Sequence, residues 1–290
     1  MPRSIADIPA KSNTTSGAPA PSHLPPGVQL LVFASEQLQQ AQTELARTGE
    51  ALHEGIHQAR KCIRRARATL ALGARVLGPH AALLDDELGR LCRGLSHLRD
   101  AQALIEALQR LDAQAPGPIR AILPAAEQLA RQRRDDMLQR AIARDPMLQA
   151  RRLRLQTAQQ RMARLDWRAV AQADIAHAIK RSQRRADKAA KQIERHPDND
   201  EAWHVYRCRL RRLRQQDTLL ADLLPTLRPS KKRSHALAEV LGESQDDALL
   251  LRHCNTRSPF PPDQRRQLRA IARERLQRAR SRERVHDRSR

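Results

Sequence analysis

Apolar and small residues recur at Ile56, Ala59, Ile63, Ala66, Leu70, Gly73 and Leu77, in alternating steps of three and four. That spacing keeps all seven on one side of a 3.6-residue helix and predicts a helix with one buried face. The same steps return 147 residues later, at Trp203, Tyr206, Leu210, Leu213, Asp217, Leu220 and Leu224, with Asp217 the one clear break in the apolar pattern. Gly and Pro punctuate the rest of the chain at Gly49, 78–80, 115–118, 145–146, 196–200, 227–230 and 258–262. These stops predict helices over 29–48, 50–77, 81–112, 119–144, 147–166, 169–195, 200–224, 231–254 and 263–284. No segment alternates with the two-residue period of a strand.

The recurrence extends beyond one helix. Residues 95–105 (LSHLRDAQALI) align with 241–251 (LGESQDDALLL), placing Asp246 146 residues after Asp100. The helix at 29–48 then matches the second half of 169–195, and 119–144 matches 263–284. The reading is all-α: a domain over 28–284, with repeat one at 28–144, a connector at 145–168 and repeat two at 169–284. Two four-helix units facing each other across a pseudo-two-fold axis fit this list. Residues 1–27 are rich in Pro, Ser, Ala and Thr and read as a flexible leader, without the Arg-rich amphipathic pattern of a targeting segment. Residues 285–290 read as a basic tail.

Composition narrows the function. Lys and Arg number 54 against 32 acids, a formal charge of +22 in 290 residues. Such a surplus predicts a polyanionic partner, whether nucleic acid, an anionic surface or polymeric phosphate. Only Phe33, Trp167, Trp203, Tyr206 and Phe260 are aromatic, few for stacking single-stranded bases. Cys62, Cys92, Cys208 and Cys254 show no C-x-x-C spacing, which disfavours a zinc ribbon or redox motif. The longest apolar run, 28–34, is too short for a bilayer, so no membrane association and a cytoplasmic location are expected.

The charge is patterned with the repeat. His57, Arg60, Arg64 and Arg67 stand at i, i+3, i+7 and i+10, one residue out of step with the apolar face, and His204, Arg207, Arg211 and Arg214 do the same. Each stripe is about 15 Å long. Lys61, Arg65, Arg209 and Arg212 broaden them. Like charges so spaced repel, and an anion would relieve them; Arg is suited to phosphate by its planar fork of donors. A solvated basic face is the competing reading, weakened by the duplication. A metal site is not expected, because neither histidine has a second His or a carboxylate one turn on.

Helices paired as H-x-x-R-x-x-x-R-R-x-R, each followed by a helix carrying LRD or LG-x-x-x-D, resemble the CHAD family, the conserved-histidine α-helical domain. The resemblance spans roughly 28–284. It implies an all-helical fold around a basic central cavity, binding of inorganic polyphosphate and localisation to polyphosphate granules, with no cofactor. Carried over by position, the ligand residues are His57, Arg60, Lys61, Arg64 and Arg67, with His204, Arg207, Arg211, Arg212 and Arg214. There are departures. Lys180, Arg184, Lys188 and Lys191 line one helix whose counterpart, 31–45, has no Lys or Arg, so the ligand surface is expected to lean toward the second half. Cys208 stands where Lys61 would recur. The family's Arg–Asp pair is whole at Arg99 and Asp100 but reads Gln245 and Asp246 in the second copy. Asp100 and Asp246 are expected either to orient stripe arginines or to be ordinary surface acids.

Two other functions compete. Weak non-specific nucleic-acid binding is favoured by charge and by the Arg-rich segments 131–136 and 151–154, but no base-reading motif accompanies them. An enzyme acting on phosphate chains would need metal-holding carboxylates that the stripes lack, and neither a P-loop nor a nucleophile elbow is present.

Overall fold

The computed structural model describes residues 24–112, 117–227, 246–255 and 258–288, and among these every regular element is helical. The α-helices are α1 (Pro26–Leu45), α2 (Ala51–Gly94), α3 (Ser96–Asp112), α4 (Gly117–Arg144), α5 (Gln149–Ala163), α6 (Gln172–Arg195) and α7 (Asp200–Leu223). The helical residues 246–253 form α8, and α9 spans Pro262–Arg288.

Beyond shifts of two or three residues at helix ends, four features differ from the sequence expectation. α1 begins inside the expected leader, with Pro26 in the first turn, where its missing N–H costs no helical hydrogen bond. The rest of that leader, 1–23, lies outside the described residues, as does the 231–245 part of the expected helix 231–254, whose remainder is α8. At the other end α9 continues to Arg288, through the expected tail. The stop at 78–80 is a kink within α2 rather than a loop: Gly78 adopts φ 70°, ψ −159°, a conformation costly for any residue with a Cβ, and Pro79 restarts the helix. The expected helix 81–112 is instead broken at Leu95, between α2 and α3.

α1 lies against the first half of α2 through Leu30, Ala34, Leu38, Ala41 and Leu45, all buried. Their close approach requires Gly55, where a Cβ would fall 2.2 Å from the Glu44 carbonyl oxygen. α6 and α7 form the matching hairpin, with its own small core of Ala186, Ala189, Ile193, Trp203, Tyr206 and Leu210. Asn199 caps α7, its Oδ1 accepting from the N–H groups of Glu201 (2.9 Å) and Ala202 (3.1 Å). A second cluster joins α3 and α4 to α8 and α9 through Leu104, Leu108, Ala126, Leu250, Phe260 and Leu268.

The apolar register read from sequence is the buried one. Ile56 through Leu77 are buried at every predicted position, and Asp217 is buried with its apolar neighbours. Of the second set only Leu213 stays partly exposed. α5, expected as a connector, is part of the main core: Leu155, Ala158 and Met162 are fully buried, packed with α1 and α2. Among the described residues no helix is long and apolar enough to cross a membrane.

Candidate functional site

The site forms where the two repeated helices meet. Gln216, fully buried on α7, donates through Nε2 to the Ala68 carbonyl of α2 at 3.0 Å and so fixes the rotation of one helix against the other. Arg212 stands one turn before Gln216, on the same side, and its Nη2 lies 3.8 Å from Asp85 Oδ2. Asp85 stands beyond the Gly78 kink, which folds the second half of α2 back alongside the first. There it also accepts two hydrogen bonds from Arg67, from Nε at 2.8 Å and Nη2 at 2.9 Å. One carboxylate therefore serves a guanidinium from each repeat. The paired bonds and charge of Asp85 outweigh burial and raise the Arg67 pKa. Arg212 goes the other way: burial lowers it, and the charges of Arg67, Arg209 and Arg185 add to the effect, more than a carboxylate at 3.8 Å offsets.

Arg64 and Arg211 occupy the same position in the two repeats, and each lies within reach of the other's charge. Burial first, and then Arg211, pushes the Arg64 guanidinium down to about 10. Electrostatic proximity of equivalent positions is what a pseudo-two-fold arrangement of the two stripes would produce. Arg207 is likewise held at about 10 by burial, with Arg211 and Arg252 nearby. The buried Nε–H groups of Arg60, Arg64 and Arg207 have no hydrogen-bond acceptor among the described residues. Buried donors are normally paired, and buried cations more so, because desolvation without a partner is costly. Oxygens of an anion could serve these donors as acceptors.

The neighbouring residues hold these cations in position. Arg60 Nη1 donates to the Cys92 carbonyl and to Ser96 Oγ, binding the stripe to the α2–α3 junction. Arg99 donates to both carboxylate oxygens of Glu106, at 2.9 and 2.7 Å, and these bonds hold the Glu106 carboxyl below its usual range despite its burial. His57 is pushed down to about 4, first by burial and then by the charge of Arg99, with Lys61 contributing. His204 is lowered by burial and by Arg207; its Nδ1 is 3.2 Å from Arg207 Nη2 and its Nε2 3.6 Å from Cys208 Sγ. Both histidines are thus neutral beside a cationic cluster, and an arriving anion would favour their protonation.

The sequence-derived set is gathered only in part. His57, Arg60, Lys61, Arg64, Arg67, Arg207, Arg211 and Arg212 are half-buried along the two facing helices, with His204 more exposed at one end. Arg65 is exposed and turns toward α1, 3.5 Å from Gln37 Oε1. Arg214 is exposed too; Arg212, not Arg214, reaches the carboxylate held by Arg67. Lys180, Arg184 and Lys188 lie on the outer side of α6, opposite its buried Ile175, Ile179, Ala186 and Ile193. The α6 cation within electrostatic reach of the cluster is Arg185, which acts on Arg212 and is itself repelled by Arg181 and Arg209. Arg252 on α8 was missed as well and stands close to Arg207 and His204. Asp100 and Asp246 make their ion pairs across the repeats, Asp100 with Arg252 (3.9 Å) and Asp246 with Arg110 (2.7 Å), rather than with stripe arginines.

Glu50, His53 and Asp135 bring ligand atoms within 4.8 Å of one another, a spacing that could hold a metal ion. The buried Arg134 fills that role, with Nη1 and Nη2 on Glu50 at 2.7 and 3.1 Å and Nε on Asp135 at 2.7 Å.

The model of the CHAD domain matches residues 33–255. Among solved structures, PptA from Streptomyces chartreusis superposes with a TM-score of 0.56 at 21% identity, over 88% of this chain and 99% of that one. The CHAD domain from the plant Ricinus communis gives a TM-score of 0.53 at 19% identity, over 93% of this chain and 89% of that one. No curated protein sequence matches the chain.

Proposed function

The chain belongs to the CHAD domain family, and on that footing we propose that it binds inorganic polyphosphate without turning it over, holding the phosphate chain between α2 and α7. The observation that carries this reading is Arg64: half-buried, set against Arg211 and with its buried Nε–H unmatched. Phosphate oxygens would supply the missing acceptors, and guanidinium is the group best shaped to receive them. A flexible inorganic polymer suits the site better than single-stranded nucleic acid, since Trp167, Trp203, Tyr206 and Phe260 are buried and unable to offer faces for base stacking. The nearby carboxylates Asp85, Glu106 and Asp100 are each already engaged by an arginine, which supports binding over metal-assisted phosphoryl transfer. In the cell, such a protein would gather at polyphosphate granules.

The test is titration of long-chain polyphosphate into the wild type and into Arg64→Ala/Arg211→Ala at several salt concentrations. A charge-assisted hydrogen bond contributes about 1.5–3 kcal/mol, so the double variant should bind at least about tenfold more weakly. Its log K against log[salt] should be shallower by about 1.4–1.8, the share of two phosphate contacts. Equal affinity for the two proteins would overturn the reading. Displacement of polyphosphate by duplex DNA at equal phosphate concentration would show that charge alone is being read.

A further inference from the structure

A cavity of about 530 Å³ opens at the end of α2, outside the groove between α2 and α7. It is lined by Arg90, Leu91 and Gly94 of α2, Arg144 of α4, and Arg151 and Arg154 of α5, with Glu87 and Asp145 at its edge. The two acids are already in use. Asp145 accepts from Arg151 at 2.6 Å and from the Ala150 N–H at 2.8 Å, and Glu87 pairs with Arg161 at 2.7 Å. Arg90, Arg144 and Arg154 make no ion pair among the described residues, and all three are exposed. The cavity is therefore a concave surface with three uncompensated guanidinium groups, brought together from three helices.

The α2–α3 junction lies between this cavity and the groove. Arg60, the stripe residue nearest the α2–α3 junction, is tied to the Cys92 carbonyl and to Ser96, while Leu91 and Gly94 of the same junction line the cavity. His97, one residue past Ser96, lies within electrostatic reach of Arg60 on one side and of Arg144 and Arg151 on the other. The charged form of His97 is disfavoured by burial and by Arg151, so the path from Arg64 and Arg60 to the cavity's cations runs past an uncharged imidazole. A ligand of one or a few phosphates would use one end of this path, and a long chain could use both.

We infer that the Arg90–Arg144–Arg154 cavity is a second anion subsite, continuous with the groove, which takes the onward length of a polyphosphate chain and makes the protein selective for long chains. The inference rests on the groove being a polyphosphate site. Elongated polyphosphate follows the path; compact anions stop in the groove, where the half-buried donors are.

Its test uses the full chain and two probes, tripolyphosphate and long-chain polyphosphate, with wild type, Arg144→Ala/Arg154→Ala and Arg64→Ala/Arg211→Ala. The residues changed in the cavity are exposed, and a thermal melt checks that each variant is folded. Expected is a weakening of long-chain binding by Arg144→Ala/Arg154→Ala, with a salt slope shallower by about 1.4–1.8, and unchanged tripolyphosphate binding. Unchanged long-chain affinity and slope in that variant, with Arg64→Ala/Arg211→Ala still impaired, would overturn the subsite and leave the groove intact. Equal weakening toward both probes would also overturn it, since the cavity would then not be reserved for the length of the chain. If Arg64→Ala/Arg211→Ala binds both probes as the wild type does, the groove reading falls, and the continuous path with it.

Discussion

Arg212 on α7 comes within 3.8 Å of Asp85 on α2, although the two are 127 positions apart in the chain. The same carboxylate holds Arg67 through two shorter bonds, so a single acid restrains one cation from each stripe. Asp85→Asn should therefore destabilise the protein by about 1–2 kcal/mol, the range for a charge-assisted hydrogen bond that is partly solvated. The loss should shrink when polyphosphate is present in excess, because phosphate oxygens can replace the missing carboxylate. Thermal melts of wild type and variant with and without polyphosphate check this; an equal deficit in both conditions would show that Asp85 has no part in the site.

Arg64 poses the opposite case. Its guanidinium is desolvated and repelled in the empty protein, so an apolar side chain of similar length should fit better. Arg64→Met is expected to raise stability by about 1 kcal/mol without ligand, about 2–4 °C in the melting temperature for a chain of this size. The same variant should bind polyphosphate about tenfold more weakly. Opposite changes in melting temperature and affinity are the signature; a fall in both would mean that Arg64 is held by partners that stabilise it.

Acid pH should act on the histidines. The pKa of His57 is lowered from 6.5 to about 4 in the folded protein, as is that of His253, whose causes are burial and then Arg133. The unfolded chain therefore binds more protons than the folded one between these values. Stability of the empty protein is unaffected above 6.5 and falls as the pH drops from 6.5 toward 4. A bound polyanion raises the pKa of His57, so binding takes up a proton and affinity rises over the same acid interval. Calorimetry in buffers of different ionisation enthalpy measures that proton uptake at about pH 5.5. His57→Gln should remove its share; an unchanged proton count would place His57 away from the ligand.

Much of this was legible in sequence. The apolar steps from Ile56 to Leu77 and from Trp203 to Leu224 identified the buried faces, and the one-residue offset placed the half-buried cations beside them. Asp85 was not legible, because its meeting with Arg67 depends on how sharply the chain folds back at Gly78, and a Gly-Pro pair does not encode that angle. On α6, Lys180, Arg184 and Lys188 formed the more regular row, but Ile175, Ile179, Ala186 and Ile193 turn that row to solvent and bring Arg185 nearer the site. Applying the apolar register to α6 as well as to α2 and α7 would have found Arg185. Arg252 had no such signal: the residue 146 positions earlier is Glu106, so the repeat gave no hint of a cation there.

The placement of α5 bears on how such a chain could have arisen. Leu155, Ala158 and Met162 are sealed against α1 and α2, and the repeat provides α5 with no counterpart among the described residues. Doubling an ancestral half would reproduce the hairpins but leave the slot beneath α1 filled by water. An apolar side on the join between the copies is what keeps the interior dry. Cutting the protein between its halves is for the same reason not a neutral operation: whichever fragment loses residues 149–163 loses part of its centre.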